Sequence, residues 1–227
     1  SHYSWRAHCE KYLDAVQGLL PRRVHPDLPE GDVTASTNSR PSFGRRLTNV
    51  RHLMITDIDN TLVGDDAAME RLFYLLEENH DTIAWGVATG RSLELTIEVM
   101  TEYNFPTPDI MICSVGTEIY YGPDFRMDKG WQQHISWQWQ AEEIKRALAD
   151  FDFLVSQEAE GQRSHKISYY LEEKDARLQK VRDALDEMKL RCQVIYSHGQ
   201  FLDILPLRAS KGKAIEYLRK MFQSTLP

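Results

Sequence analysis

No apolar stretch in this 227-residue chain approaches the roughly 20 residues that a bilayer-crossing helix needs. The first residues mix His, Arg, Glu, Lys and Asp, unlike the apolar segment of a secretory leader. Positive charge is not in surplus: 27 Lys and Arg stand against 34 Asp and Glu, giving a net charge of −7 and a pI near 5.6. A global basic field for nucleic acid is therefore absent. Cysteine is scarce, and Cys9, Cys113 and Cys192 have no metal-ligand spacing. They read as the reduced thiols of a cytoplasmic protein. No Gly-x-Gly-x-x-Gly follows the first strand-like run, which argues against a dinucleotide site. The first residue is Ser, so a piece of a longer protein is expected. The remaining balance, 42% hydrophobic and 27% charged, is ordinary for a globular core with a small second domain.

Trp5, Cys9, Tyr12 and Val16 lie at helical spacing, and Pro21 stops the stripe. Residues 21–49 are rich in Pro, Ser, Thr, Asn and Asp and read as a linker; its arginines read as a solvated basic stretch. A regular alternation then begins. Strand-like runs at 52–55, 83–88 and 109–114 are separated by helical stripes, Met69, Leu72, Phe73 and Leu76, then Leu93, Ile97 and Met100. Strands joined by helices of this length imply βαβ units and a parallel sheet covered on both faces.

The pattern changes after residue 135. A helical stripe (Trp137, Ala141, Ile144, Leu148, Phe151) leads into strand-like runs at 151–156 and 166–171. A second stripe (Leu178, Val181, Leu185, Met188) precedes runs at 192–197 and 201–205. Helix, two strands, helix, two strands is a compact antiparallel α+β module. A last helix carries Ala214, Ile215, Leu218 and Phe222. In the run at 166–171, Lys166, Ser168 and Tyr170 share one face and Ile167, Tyr169 and Leu171 the other. The apolar face should pack on the module's helices. The polar face, with Gln157 and Gln162 nearby, offers hydrogen-bonding groups, although a plain surface strand has the same pattern.

Three segments carry chemistry. Asp57-Ile58-Asp59-Asn60-Thr61-Leu62 follows the first apolar run. Two carboxylates two apart at a strand's carboxyl end can approach one point, and ligands bind at that end of open α/β sheets. Taken alone, the segment also fits a solvated acidic turn. Thr89-Gly90-Arg91 follows the second strand and offers a hydroxyl and free N–H groups at a helix start. Lys211, beside Gly212, opens the last helix. Each of these two is weak by itself, since Thr-Gly turns and exposed lysines are common.

Together, in this order and each after a strand-like run, the three resemble the first three motifs of the haloacid dehalogenase superfamily. The layout of core, inserted α+β cap and return to core resembles its capped phosphatases. Val115-Gly116-Thr117-Glu118-Ile119-Tyr120-Tyr121, Lys166-Ile167-Ser168-Tyr169-Tyr170-Leu171 and Asp203-Ile204-Leu205-Pro206 are similar to segments of the sucrose-phosphate phosphatase branch and of the matching C-terminal domain of sucrose-phosphate synthases. Tyr3-Ser4-Trp5-Arg6-Ala7-His8 resembles the end of the glycosyltransferase domain that precedes it in such synthases.

The resemblance implies a Rossmann-like parallel-sheet core at 50–134 and 206–227, a cap at 135–205, a linker at 21–49 and the end of a preceding domain at 1–20. It implies Mg²⁺-dependent hydrolysis of a sugar phosphate, sucrose 6F-phosphate. Asp57 would attack phosphorus and form an aspartyl phosphate, and Asp59 would serve as general acid and base. Thr89, Gly90 and Lys211 would hold phosphoryl oxygens, and Asp57 with the Asp59 carbonyl would hold Mg²⁺. At about 4 Å, one unlike charge pair is worth about 4 kcal/mol at an effective dielectric of about 20. The implied substrate contacts are Arg91, Gly116, Thr117 and Glu118 in the core and Gln157, Gln162 and Lys166 in the cap. A linked or associated synthase domain is the expected partner, with no nucleic acid and no membrane.

One departure stands out. The superfamily's fourth motif, an acidic loop that completes the metal site, should follow Lys211 by a helix and a strand, and the sequence given contains none. The C-terminal part of the core is expected to be missing, leaving residues 53–56 at a bare sheet edge. A non-catalytic or regulatory domain of a sucrose-phosphate synthase is the competing expectation.

Overall fold

The computed structural model describes residues 50–172 and 175–223, together with Leu47. The helical stripe at 5–20, Cys9 and the linker up to residue 49, Leu47 apart, lie outside the described residues.

Three parallel strands open the core: β1 (His52–Thr56), β2 (Ile83–Ala88) and β3 (Ile110–Cys113). The β1–β2 register runs from His52 opposite Ile83 to Thr56 opposite Val87, and β2–β3 pairs Gly86 with Ile110. β2 and β3 are apolar runs buried at every position, the signature of strands covered on both faces. Parallel neighbours need crossovers, here α1 (Asp66–Glu78) and α2 (Leu93–Glu102). The Asp65 carboxylate accepts from the Ala68 N–H at the start of α1, and the Ser92 hydroxyl from the Leu95 N–H at the start of α2. α1 buries Met69, Leu72 and Leu76, as its spacing predicts.

The core sheet continues beyond the strands read from the sequence. β4 (Glu118–Tyr121) and β5 (Arg126–Met127) add antiparallel, giving the order β1-β2-β3-β4-β5. β4 escaped notice because all four of its residues are buried, Glu118 included, so it shows no alternation. A short helix, α3 (Lys129–Ile135), follows behind its Asp128 cap and was also unanticipated. β1 ends the sheet among the described residues.

The α+β module has the expected element order: α4 (Ala141–Leu148), β6 (Val155–Ser156), β7 (Ile167–Tyr170), α5 (Asp175–Glu187), β8 (Cys192–Ser197) and β9 (Phe201–Pro206). Its sheet is antiparallel, in the order β6-β7-β9-β8. Two boundaries move. Trp137 lies outside α4, because the chain turns through Gln138 at φ 57° before the helix starts. Its exposed ring instead lies under Arg208, whose guanidinium carbon is 4.1 Å from the ring centroid. The run at 151–156 is strand only at Val155–Ser156, since the Phe151 and Leu154 N–H groups close turns onto Leu148 and Phe151.

The two faces of this second sheet meet different partners. Ile167, Tyr169, Leu171, Val194, Tyr196, Leu202 and Ile204 pack with Ile144, Leu148, Val181 and Leu185 of the two helices. Ile195 and Leu205, on the opposite face, belong to the cluster around Ile112, Ile119 and Trp131 of the core. β9 runs on to α6 (Lys211–Gln223), which packs Ala214 and Leu218 into that cluster. Ile215, placed on the helix's apolar stripe by spacing, is 38% exposed. No helix among the described residues is long and apolar enough to cross a membrane.

Candidate active site

Asp57 stands immediately after β1. The Ile58 N–H donates to its Oδ1 at 2.9 Å, and Lys211 Nζ donates to its Oδ2 at 2.7 Å. The chain then tightens, with the N–H groups of Thr61, Leu62 and Val63 all pointing at the Ile58 carbonyl. This turn brings Asp59 round to Arg91, which grips it with two nitrogens: Nε at 3.1 Å from Oδ2 and Nη2 at 2.7 Å from Oδ1. The hydrogen bond that Arg91 donates to Asp59 is the main cause raising the Arg91 guanidinium above its ordinary range, and burial opposes it. Two acidic residues two apart thus each face a cation from a different segment.

The loop after β2 is held from behind. Thr89 is fully buried; its N–H donates to the Ile112 carbonyl at 2.8 Å, and its hydroxyl oxygen accepts from the Arg91 N–H at 3.1 Å. Gly90 is exposed, and a Cβ there would make only an ordinary contact with Val115.

The turn at 114–118 joins the segments. The Ser114 N–H donates to the Arg91 carbonyl at 2.7 Å and the Val115 N–H to the Thr89 carbonyl at 3.2 Å. Ser114 and Val115 take φ of 52° and 61°, and a β-branched residue is rarely found there. Gly116, at φ 94°, lies so close to the start of α6 that a Cβ would stand 2.2 Å from the Ser210 carbonyl carbon and 2.3 Å from the Lys211 nitrogen. Gly116 is therefore explained by the close approach that seats Lys211. The Thr117 hydroxyl donates back to the Ser114 carbonyl at 2.9 Å, and Glu118 accepts from the Ser114 hydroxyl at 2.9 Å. Beside them, burial pushes the Cys113 thiol up to about 12, with no thiolate for nucleophilic work near neutral pH.

In the second sheet, Lys166, Ser168 and Asp203 are buried together. Lys166 Nζ lies 3.4 Å from Asp203 Oδ1, and the Ser168 hydroxyl donates to the same oxygen at 2.6 Å. Gln157 and Gln162 have other duties. The Gln157 amide donates to the Tyr169 carbonyl at 3.1 Å; the Gln162 amide donates to the Ser168 carbonyl at 2.7 Å and accepts from its N–H at 3.1 Å. They knit the loop before β7 onto the strand.

The structure thus gathers Asp57, Asp59, Thr89, Arg91 and Lys211 at one end of the core sheet, with Gly116, Thr117 and Glu118 in the turn behind them. Asp203, Ser114 and Arg163 were not singled out as site residues. Asp203 had a readable signal: a carboxylate in mid-strand between Leu202 and Ile204. For Ser114 and Arg163 the sequence offers none.

As a metal site, the loop offers hard oxygens, the carboxylates of Asp57 and Asp59 and the Asp59 carbonyl, which suit Mg²⁺ in donor type. No cluster of three or more His, Cys, Asp or Glu side chains able to hold a metal occurs among the described residues.

A mixed α/β core with paired carboxylates after its first strand is the arrangement of haloacid dehalogenase-type hydrolases, and the fold agrees. A haloacid dehalogenase-like hydrolase protein from Bacillus subtilis superposes with a TM-score of 0.55 at 14% identity, covering 79% of this chain and 73% of that one. The sequence model of the sucrose-6F-phosphate phosphohydrolase family matches residues 50–227, and the chain belongs to that family. Sucrose-phosphatase 2 of Nicotiana tabacum is 36% identical over 187 residues, and the probable sucrose-phosphatase 2 of Arabidopsis thaliana 37% over 190. Each alignment takes in 79% of this chain and 44% of the relative, so the chain spans less than half the length of these relatives. The sucrose-phosphatase of Synechocystis, solved in complex with sucrose and phosphate, is 32% identical with a TM-score of 0.71, covering 77% of this chain and 71% of that one.

Proposed function

We propose that this chain is a phosphoric monoester hydrolase that converts sucrose 6F-phosphate to sucrose and phosphate through an aspartyl-phosphate intermediate. The observation that carries the reading is the meeting of Asp57 with Lys211 at the end of β1, 2.7 Å apart across 154 positions of sequence, with Asp59 and Thr89 in the adjoining loops. Asp57 is the nucleophile: its carboxylate oxygen bonds to phosphorus as the bond to the sugar oxygen breaks. Asp59 gives that leaving oxygen its proton, then takes one from the water that attacks phosphorus and releases Asp57. Lys211 and Thr89 hold the phosphoryl oxygens, and Arg91 orients the Asp59 carboxylate. Mg²⁺, held by Asp57 and the Asp59 carbonyl, would supply further positive charge to the phosphoryl group when bound. The second sheet, as a cap, supplies the sugar contacts, with Lys166 foremost and Asp203 beside it.

The setting we propose is cytoplasmic, in keeping with Cys113 and Cys192 as free thiols. The partner we propose is a covalently linked or associated sucrose-phosphate synthase domain that makes the sugar phosphate, the role that Tyr3–His8 suggests by resemblance.

A second reading, a non-catalytic or regulatory domain of such a synthase that binds the sugar phosphate, is favoured by the lack of a third acidic side chain beside Asp57 and Asp59 among the described residues. Phosphate release from sucrose 6F-phosphate with and without Mg²⁺, paired with calorimetric binding of the same compound, separates the two. Mg²⁺-dependent release is expected. Binding without release overturns the hydrolase in favour of the second reading.

A further inference from the structure

One cationic side chain joins the second sheet to the core and has no part in the chemistry above. Arg163 lies in the loop before β7, and its backbone is locked to that of Lys166 in both directions, by N–H to O contacts of 3.0 and 3.1 Å. Trp139 Nε1, from the segment entering the module, donates to the carbonyl of the next residue, Ser164, at 2.8 Å. From this fixed base the Arg163 guanidinium crosses to the core. Its Nη2 donates to Glu94, in the first turn of α2, and its Nε lies 3.6 Å from Glu118 Oε1 on β4. Among the described residues no other ion pair joins residues 141–205 to the core.

The chemistry suits a seat. A planar guanidinium with a fixed fork can serve two carboxylates at once, which an ammonium does less well. Glu118 is 7% exposed and tied by its other oxygen to Ser114, in the turn that holds Thr89, Arg91 and Lys211 in register. Removing the cation leaves that buried carboxylate without its ionic partner. Arg163 is therefore linked through its backbone to Lys166 on one side and through Glu118 to the catalytic turn on the other.

We propose that Arg163 is a positioning residue: its pairing with Glu94 and Glu118 seats the second sheet on the core, and so fixes where Lys166 and Asp203 stand relative to Asp57. This inference rests on the proposed hydrolase. It concerns recognition of the sugar half, since the phosphoryl contacts all come from the core.

The test uses the 227-residue chain with Mg²⁺, and sucrose 6F-phosphate and p-nitrophenyl phosphate as substrates. Arg163→Ala should raise KM for sucrose 6F-phosphate about tenfold while kcat/KM for the aryl phosphate stays within about twofold. Arg163→Lys should recover part of the loss. Glu94→Gln, at an exposed carboxylate, should move KM the same way by less. Equal losses on both substrates, or none on either, would overturn the assignment. If the unaltered chain turns over neither substrate, the proposed function fails and the seat is judged by hydrogen exchange. The amides of residues 163–168 should then exchange about fivefold faster or more in Arg163→Ala than in the unaltered chain, and unchanged rates would refute it.

Discussion

In the five-stranded sheet, β2 and β3 bury Ile83, Ala84, Trp85, Val87, Ala88, Ile110, Met111 and Ile112 along their whole length. Polar side chains with chemistry to offer lie at strand ends, at Asp57, Thr89 and Ser114 after β1, β2 and β3 and at Glu118 where β4 begins. In the four-stranded sheet, Ser168 and Asp203 sit in mid-strand, directly opposite each other in the β7–β9 register, with Lys166 beside them. Packing and chemistry are thus separated along the strand in the first sheet and across the faces in the second. The first pattern follows from helices on both sides, which leave only the strand ends free for ligands. The second follows from helices on one side only, so that the other face, turned toward the core through Ile195 and Leu205, can carry hydrogen-bonding groups. A group at a strand end can be aimed at one atom, whereas a face can recognise a larger shape.

The largest expected effect comes from the strand end. Asp57→Asn keeps the side-chain shape but cannot form the acyl phosphate, so turnover should fall by a factor of about a thousand or more. Stability should change little, because the pair with Lys211 is partly open to solvent. Undiminished turnover, with deamidation excluded by mass spectrometry, would remove Asp57 from the mechanism.

Next comes the turn that holds those ends together. Gly116→Ala adds a methyl to a left-handed backbone position, where it would meet the main chain of Ser210 and Lys211. A strained position of this kind costs about 1–3 kcal/mol before any clash is relieved, and the relief must displace Lys211. Urea denaturation should show the loss of stability and phosphate release a loss of rate. A variant equal to wild type in both would mean that Gly116 is retained for some contact other than this approach.

The face of the second sheet should behave differently. Lys166→Ala is expected to lower kcat/KM for sucrose 6F-phosphate by about 10- to 100-fold and for p-nitrophenyl phosphate by no more than about threefold. Equal losses would place Lys166 in the folding of the sheet or in the reaction itself, and the contrast between strand end and face would collapse.

This contrast also marks how far the sequence could be read. β2 was legible to the residue because an uninterrupted apolar run between turn signals has few alternatives. β8 and β9 were legible because Val194, Tyr196, Leu202 and Ile204 keep strict alternation. Asp57 and Asp59 stand out as a polar pair after an apolar run, whereas Thr89 and Lys211 are weak signals alone and joined them only through the resemblance to the superfamily's motifs. β4 was not, since it is buried throughout yet begins with a carboxylate. Trp137 was assigned to a helix that starts four residues later, because spacing cannot reveal the positive φ at Gln138. Arg163 was invisible for a further reason. Its partners Glu94 and Glu118 lie 69 and 45 positions away, on α2 and β4, and one arginine in a polar loop has no local pattern.

The smallest effect is a pH dependence that each sheet should show in its own way. Burial lowers the pKa of His165, next to Lys166, and no charged neighbour contributes. His134, exposed on α3 with its ring stacked on Trp131, is lowered first by its partial desolvation and then by Arg208 and Lys220. For both residues the folded-state pKa lies below the unfolded value of about 6.5. As pH falls, the unfolded chain takes up the proton first. Each histidine's contribution is therefore full above about pH 6.5 and declines as pH drops through that value toward the folded pKa. Urea midpoints measured from pH 7.5 to 5.5 should fall, and His165→Gln or His134→Gln should each flatten part of the slope. Added salt tells the two apart. It screens Arg208 and Lys220 and so weakens the His134 share, while burial is indifferent to ionic strength and the His165 share persists. If salt erased the slope lost in His165→Gln as readily as that lost in His134→Gln, a cation would have to act on His165, and burial alone would not account for its shift.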